Sequence, residues 1–492
     1  MSIDTAKPAS RNSYESGLGE WVQLEKAAIE LIRILGNLWY DRSVELVIFR
    51  NQVVDRSASQ ILALHQYARE FVKKEISILE SLEIAKILNT LDLAPARIDL
   101  GKLTAEWVSE LEKNPETVLK DFIANKLKKF IGADKHSITP KDVVLYGFGR
   151  IGRLLARELV VQAGKGEQLR LRAIVTRDKS ENDIIKRADL LRSDSIHGPF
   201  PGTVVVDLEN RALIINGHRV HMISASNPDE LDYTSYGIND ALIVDNTGVF
   251  RDREGLSRHL NSKGASKVLL TAPGKGDIPN VVHGVNHSSC KKDEKIFSAA
   301  SCTTNAIVPV LSVIDKALGI EKGHIETIHS FTNDQNLLDN YHNKYRRGRS
   351  APLNMVITET GADKAVSKAL PQLAGKITGN AVRVPTPNVS LAILNLSVGK
   401  TTNKDEVNEF LRDEALNGEL IEQIQYLTSN ETVSSDLVGN PCASIVDSPA
   451  TIVSQDNKNL VLYVWYDNEY GYSRQVIRFA KYLSNVRRLT YY

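Results

Sequence analysis

Cysteine is almost missing from this chain: there are three in 492 residues, Cys290, Cys302 and Cys442. Thiols so few and so far apart make neither a disulfide framework nor a zinc cluster, so no metal site is expected. Their scarcity suits a reducing compartment such as the cytoplasm. An excess of one charge is also missing. Lys and Arg number 61 against 60 Asp and Glu, a formal net charge of +1. That balance gives no general drive toward nucleic acid or a membrane surface. Long hydrophobic runs are lacking too: no stretch approaches the roughly 18 apolar residues of a membrane helix. The polar opening MSIDTAKPASRNSYESGLGEW has no signal-peptide core. What remains is ordinary for a globular protein, 42% hydrophobic and 25% charged residues. A chain this long is expected to hold two or three domains.

The hydrophobic pattern divides the chain. Apolar residues recur at helical spacing in 21–38 and 61–71, with Ser57 or Ser59 as candidate N-caps, and again near 79–91 and 118–131. No catalytic cluster falls in this stretch, which reads as a helical extension, residues 1–140. The polar segment GADKHSITPK marks its end. Beyond it, short β-branched runs (DVVLY, LRAIVT, ALIVDNTG, KVLLTAP) alternate with helical runs, the rhythm of a doubly wound parallel sheet. The expected fold class is therefore α/β, with a Rossmann-type nucleotide domain over 141–301, completed by a C-terminal helix within 468–492. A second, α+β domain over 302–467 would carry long, mainly antiparallel strands at HIETIHSFT, AVRVPTPNVSLAILNLSV and LVLYVWY.

Two local patterns carry chemistry. Gly147-Phe148-Gly149-Arg150-Ile151-Gly152 is GxGxxG placed between the strand-like DVVLY and a helical run, the context that dinucleotide binding requires. The first glycine permits the tight turn, the second lets the backbone approach a pyrophosphate, and the third lets helix and strand pack closely. The helix N-terminus then offers free N–H groups to the phosphates. The second pattern is Ser301-Cys302-Thr303-Thr304-Asn305, where Cys302 opens a helical run after KIFSAA. A helix N-terminus favours the thiolate, which is the nucleophile. Cys290 and Cys442 read as packing residues. A nucleophilic cysteine needs a base within reach, and His329, at the end of HIETIH, is the candidate.

These motifs, with IHSFTNDQ, RRGRSAPLNMVITETGADKA, VRVPTPNVS and WYDNEYGYS, resemble phosphorylating glyceraldehyde-3-phosphate dehydrogenase over residues 142–486. The first 140 or so residues lie outside the usual family chain, so the whole looks like a long form with an N-terminal extension. The resemblance implies Cys302 as nucleophile and His329 as base, with a thioester that inorganic phosphate releases as 1,3-bisphosphoglycerate. It implies a substrate-phosphate site at Thr332 and Arg383. It implies an inorganic-phosphate site at Ser301, Thr303, Arg347, Thr360 and Gly361. Asn468 would hold the nicotinamide carboxamide, Tyr472 would pack near the ring, and Thr247, Gly248 and Thr271 would be cofactor-contacting loop positions. Glyceraldehyde 3-phosphate, inorganic phosphate and a homotetramer are the implied partners. The rival readings are an erythrose-4-phosphate dehydrogenase and a regulatory homologue that has lost catalysis.

Cofactor choice rests on the end of the second strand, LRLRAIVT. An acidic residue there binds the ribose 2′-OH of NAD, while an arginine accommodates the 2′-phosphate of NADP. NAD-using members of the resembled family usually carry aspartate where this chain has Thr176, and Arg177 follows. The expectation is use of NADP alongside NAD, with Asp178 as a carboxylate that can restore preference for NAD.

Overall fold

The alternation of β-branched and helical runs after residue 140 becomes a Rossmann sheet in the computed structural model, which describes residues 14–72 and 74–492. Contacts divide the chain into two units, Met1–Ile138 with Arg487–Tyr492, and Thr139–Val486.

In the second unit, strand Lys141–Tyr146 lies between Leu169–Thr176 on one side and Ala241–Asp245 on the other, all parallel. The chain reverses direction of sheet growth at this strand, and the GxGxxG loop leaves its C-terminal end. Such a switch point opens a crevice for a ligand. Strands Ala265–Leu270 and Ile296–Ser298 extend one wing in parallel; His218–Ser224 and two antiparallel strands extend the other. Helix Tyr470–Leu483 packs on helix Arg150–Val161 of this sheet, and a buried ion pair between Arg474 and Glu158 joins them. The helix expected within 468–492 thus ends at Leu483, and the chain's last residues go elsewhere.

The other half of this unit is a mixed sheet. Strands Ile320–Ser330, Ser390–Val398 and Asn459–Tyr466 form its antiparallel centre, with Ile377–Val384 parallel to the first. Alternate residues of Ser390–Val398 are buried, as period-two patterning requires. Helix Cys302–Leu318 packs against this sheet. The Rossmann wing therefore delivers Cys302, and the neighbouring long strand delivers His329 at its end.

The first unit is helix-rich, as the periodicity predicts, and it also holds a sheet that the periodicity does not show. Strands Asn51–Gln52, Val44–Ile48, Ala96–Asp99 and Leu489–Tyr491 pair in that order. Val44–Ile48 is buried at all five positions, so it lacks the alternation that marks a strand in sequence. Leu31, Ile34, Leu38, Leu46, Ile98 and Leu103 form its core. Ser57 caps helix Ala58–Val72, accepting from the Gln60 N–H at 3.3 Å. The last six residues belong here. Leu489–Tyr491 runs parallel to Ala96–Asp99, and Arg488 donates to Ser43 O at 3.0 Å while its guanidinium lies 4.5 Å from the Trp39 ring.

Candidate active site

The three glycines of the loop have different surroundings. Gly147 has φ +96°, and a Cβ on it would come within 2.9 Å of Thr247. A Cβ on Gly152 would meet Gly147 O at 2.6 Å. Gly149 precedes the helix, and a Cβ there would touch nothing within 4 Å. Two glycines thus close the turn against its neighbours, while the third leaves room for a pyrophosphate at the helix N-terminus. Phe148, between the first two glycines, is buried. Thr247, beside it, is held by Asp245: the carboxylate accepts the Thr247 N–H at 2.8 Å and its hydroxyl at 2.7 Å. His259 meets the other oxygen of Asp245 at 3.0 Å. Both members of that pair are fully buried. Gly248 follows with φ +66°.

A cleft of about 680 Å³ runs from this loop to the mixed sheet. Arg150, Ile151, Thr271, Asn468 and Tyr472 line its cofactor-loop side, and Ser301, Cys302, His329, Thr332 and Arg383 line the other. Thr303, Arg347, Thr360, Gly361, Thr176, Arg177, Thr247 and Gly248 lie outside this lining. Arg150 is turned toward carboxylates, pairing with Glu469 and Asp194.

Cys302 is the first residue of its helix. Ser301 is the N-cap, with its hydroxyl accepting from the Thr304 N–H at 3.0 Å. The preceding Ala300 has φ +56°, a tight entry that the Tyr472 hydroxyl steadies by donating to Ala300 O at 2.9 Å. Cys302 Sγ lies 3.7 Å from His329 Nε2. On the far side of the ring, His329 Nδ1 is 2.7 Å from Ser330 O and 2.7 Å from Arg383 Nη1. With its proton on Nδ1 the ring donates to Ser330 O and turns an acceptor, Nε2, toward the thiol. With the proton on Nε2, Arg383 donates to Nδ1 instead. Tyr466 packs edge-on at 6.0 Å from the His329 ring, and its hydroxyl bonds Thr303 at 3.0 Å.

Electrostatics make the pair neutral at rest. Burial pushes the Cys302 thiol up, against the pull of the Arg383 guanidinium and of Thr303. Burial thus opposes the stabilisation that the helix N-terminus and the guanidinium offer a thiolate. Burial, with Arg383 second, pushes His329 down to about 3, so its imidazole is neutral and able to accept. Arg383 also keeps a buried Nε–H without a hydrogen-bond partner. A part-buried guanidinium with an unused donor suits an anionic ligand.

The remaining anion-site candidates are spread out. Arg347 is buried, donating to Thr358 Oγ1 at 3.1 Å and pairing with Asp334. Gly361 caps helix Ala362–Ala369, with Thr360 just before it. Asn468 is fixed by Ser390, whose hydroxyl donates to its Oδ1 at 2.9 Å. Among the described residues no group of three His, Cys, Asp or Glu is placed to hold a metal, and no helix is long and apolar enough to cross a membrane.

Sequence reasoning passed over Asp245, Tyr466, Ser390 and Glu469. Asp245 lies in the strand-like ALIVDNTG and Glu469 in WYDNEYGYS; Asp245 pairs with His259, 14 residues on, and Glu469 with Arg150, 319 residues away. Cys290 is half-buried, and burial raises its thiol to about 11. Cys442 is buried in a small apolar cluster.

Comparison with known proteins agrees with this architecture. Residues 141–253 match the glyceraldehyde 3-phosphate dehydrogenase NAD binding domain, and residues 301–468 match the C-terminal domain of the same family. A glyceraldehyde-3-phosphate dehydrogenase-like protein of Pseudomonas aeruginosa is 51% identical over 93% of this chain and 98% of its own length. That similarity runs into the extension. A glyceraldehyde-3-phosphate dehydrogenase from the same species is 43% identical over 70% of this chain and 98% of its own. The chloroplastic A form of Zea mays is also 43% identical, over 70% of this chain and 82% of its own. With an NAD-binding Rossmann domain, a matching catalytic domain and a cysteine–histidine pair where the two meet, the chain belongs to the glyceraldehyde 3-phosphate dehydrogenase family.

Proposed function

We propose that the protein catalyses the reversible, phosphorylating oxidation of D-glyceraldehyde 3-phosphate to 1,3-bisphosphoglycerate through a thioester on Cys302. The observation that carries this reading is the 3.7 Å approach of Cys302 Sγ to His329 Nε2 in a cleft that also holds the Arg383 guanidinium. The names of the relatives, dehydrogenases of this aldehyde, support it.

His329 Nε2 takes the thiol proton as Sγ attacks the aldehyde carbon, giving a hemithioacetal. A buried imidazolium formed beside the Arg383 guanidinium is costly, which favours returning its proton to the nascent alkoxide. His329 then takes that hydroxyl proton as hydride leaves carbon, and the thioester forms. Bound NAD supplies the hydride acceptor. The Cys302 N–H at the helix start and His329 stabilise the oxyanion. Inorganic phosphate attacks the thioester carbon, and Sγ leaves as thiolate. Arg383 with Thr332 takes the substrate phosphate. Ser301, Thr303, Arg347, Thr360 and Gly361 serve the attacking phosphate.

Asn468 orients the nicotinamide carboxamide and Tyr472 flanks the ring, while Gly147–Gly152, Thr247, Gly248 and Thr271 hold the rest of the dinucleotide. NADP is used alongside NAD, because Thr176 rather than a carboxylate ends the second strand and Arg177, exposed beside it, can meet a 2′-phosphate. The active assembly is a homotetramer of the family type, working in the cytoplasm. Comparison of kcat/KM for glyceraldehyde 3-phosphate and erythrose 4-phosphate, with and without phosphate, tests the reading. Preference for the four-carbon aldehyde, or turnover independent of phosphate, would overturn it.

A further inference from the structure

The end of the second strand lacks a carboxylate in sequence, yet the fold brings one there. Asp183 is the third residue of helix Glu181–Arg192, whose N-cap is Ser180. From that position a side chain commonly folds back onto the N-cap backbone. Here it does not. The Ser180 N–H donates to Asp178 Oδ1 at 2.8 Å, so the exposed Asp178 is occupied at the cap. Asp183 turns instead toward the strand, where its Oδ2 accepts from the Thr176 hydroxyl at 3.2 Å. The same oxygen is 2.6 Å from Arg187 Nε. Arg187 Nη1 lies 3.5 Å from Phe148 O, on the glycine loop itself. Thr176, Asp183 and Arg187 thus form one continuous corner that reaches the loop at Phe148, outside the lining of the cleft. Asp183 Oδ1 is the carboxylate oxygen outside this network. The Asp183 side chain is only 13% exposed and that of Arg187 25%, so the pair is partly sheltered where an adenosine ribose would lie.

We propose that Asp183, held by Thr176 and Arg187, is the residue that reads the ribose of the dinucleotide and sets the balance between NAD and NADP. Its carboxylate accepts the 2′-OH of NAD and repels a 2′-phosphate. Arg187, drawn off Asp183, is the cation that a 2′-phosphate engages, with Arg177 as its neighbour. A single residue thereby favours NAD without excluding NADP, since the opposing charge is already in the same corner. The inference rests on the reading of the cleft as a dinucleotide site.

Calorimetric titration of the full chain with NAD and with NADP, without substrate, tests it. The unmodified protein is expected to bind NAD more tightly than NADP. Asp183→Asn, which keeps shape and removes charge, is expected to weaken NAD roughly tenfold and to strengthen NADP, reversing or levelling the preference. Arg187→Leu is expected to weaken NADP more than NAD. If Asp183 served only the helix start, Asp183→Asn would lower thermal stability and leave the ratio of the two affinities unchanged, and that result overturns the proposal. Should Asp183→Asn fail to fold, Thr176→Val carries the test: it releases Asp183 and is expected to move the ratio toward NADP, and an unmoved ratio overturns the proposal. Binding of neither cofactor by the unmodified chain would overturn the dinucleotide reading itself, and this inference with it.

Discussion

Replacing His329 by asparagine tests the proposed base apart from the rest of the site. The residue is 6% exposed, its Nε2 faces Sγ at 3.7 Å, and its pKa is pushed down to about 3 by burial and Arg383. Across the neutral range the ring is therefore unprotonated and ready to accept. Burial holds the thiol up, so a base within reach of Sγ is expected to speed its attack. Loss of a positioned general base costs about 10²–10⁴-fold, or about 3–5 kcal/mol of transition-state stabilisation. Asparagine keeps a polar group near Ser330 O and leaves the cofactor side untouched. The expected outcome is a burst of cofactor reduction, in stopped flow with aldehyde and no phosphate, slower by that factor at neutral pH, with NAD affinity unchanged. The deficit is expected to shrink as pH rises, because hydroxide then ionises the thiol. A burst of unaltered rate at neutral pH would refute the assignment of His329 as base.

Other outcomes follow from the same geometry. Arg383→Leu is expected to raise KM for the phosphorylated aldehyde most, and to move alkylation of Cys302 to higher pH, because the guanidinium draws the thiol down; an unmoved alkylation profile would contradict this. Arg347→Leu is expected to raise KM for inorganic phosphate instead, and equal effects of both changes on both ligands would refute the division of sites. His329 binds its proton less readily folded than unfolded, so its share of stability is full above the unfolded value near 6.5 and falls as pH drops toward 3; urea unfolding should show His329→Asn with a shallower acid loss than the parent over that window. Thr176→Asp is expected to shift kcat/KM toward NAD, and strong exclusion of NADP by the unmodified enzyme would contradict the reading of Thr176 and Arg177. A chain limited to 139–486 is expected to keep the cysteine chemistry if it stays soluble; one that retains 487–492 carries a strand whose partner, Ala96–Asp99, is gone, and is expected to be the less soluble of the two. A folded 139–486 without activity would place the extension in the active assembly.

Much of the catalytic unit was legible because its chemistry is local. GxGxxG after a strand and Cys302 at a helix start are short patterns whose physics lies within a few residues. Chemical need links Cys302 to His329 in the sequence, and the fold gives that link a distance of 3.7 Å. What sequence alone does not display depends on contacts between distant segments. Asp183 is unremarkable in KSENDIIKR until the strand end at Thr176 is placed against it. Asp178, adjacent in sequence to Arg177, is instead taken by the helix cap. In the extension, Val44–Ile48 is buried on both faces and so carries no alternation, and Leu489–Tyr491 finds its partner strand nearly four hundred residues away. The helical periodicity of 21–38 is intrinsic to its own residues and was readable; the sheet behind it was not.

Cys302 is proposed to carry the acyl group between oxidation and phosphate attack. This is tested by mixing the enzyme with NAD and glyceraldehyde 3-phosphate in the absence of phosphate, then measuring intact mass and the site of the adduct by peptide mapping. The expected result is reduced cofactor in an amount matching active sites, one phosphoglyceryl adduct per chain located on Cys302, and its discharge when phosphate is added. Cofactor reduced with no adduct on Cys302, or an adduct on Cys290 or Cys442, would contradict it.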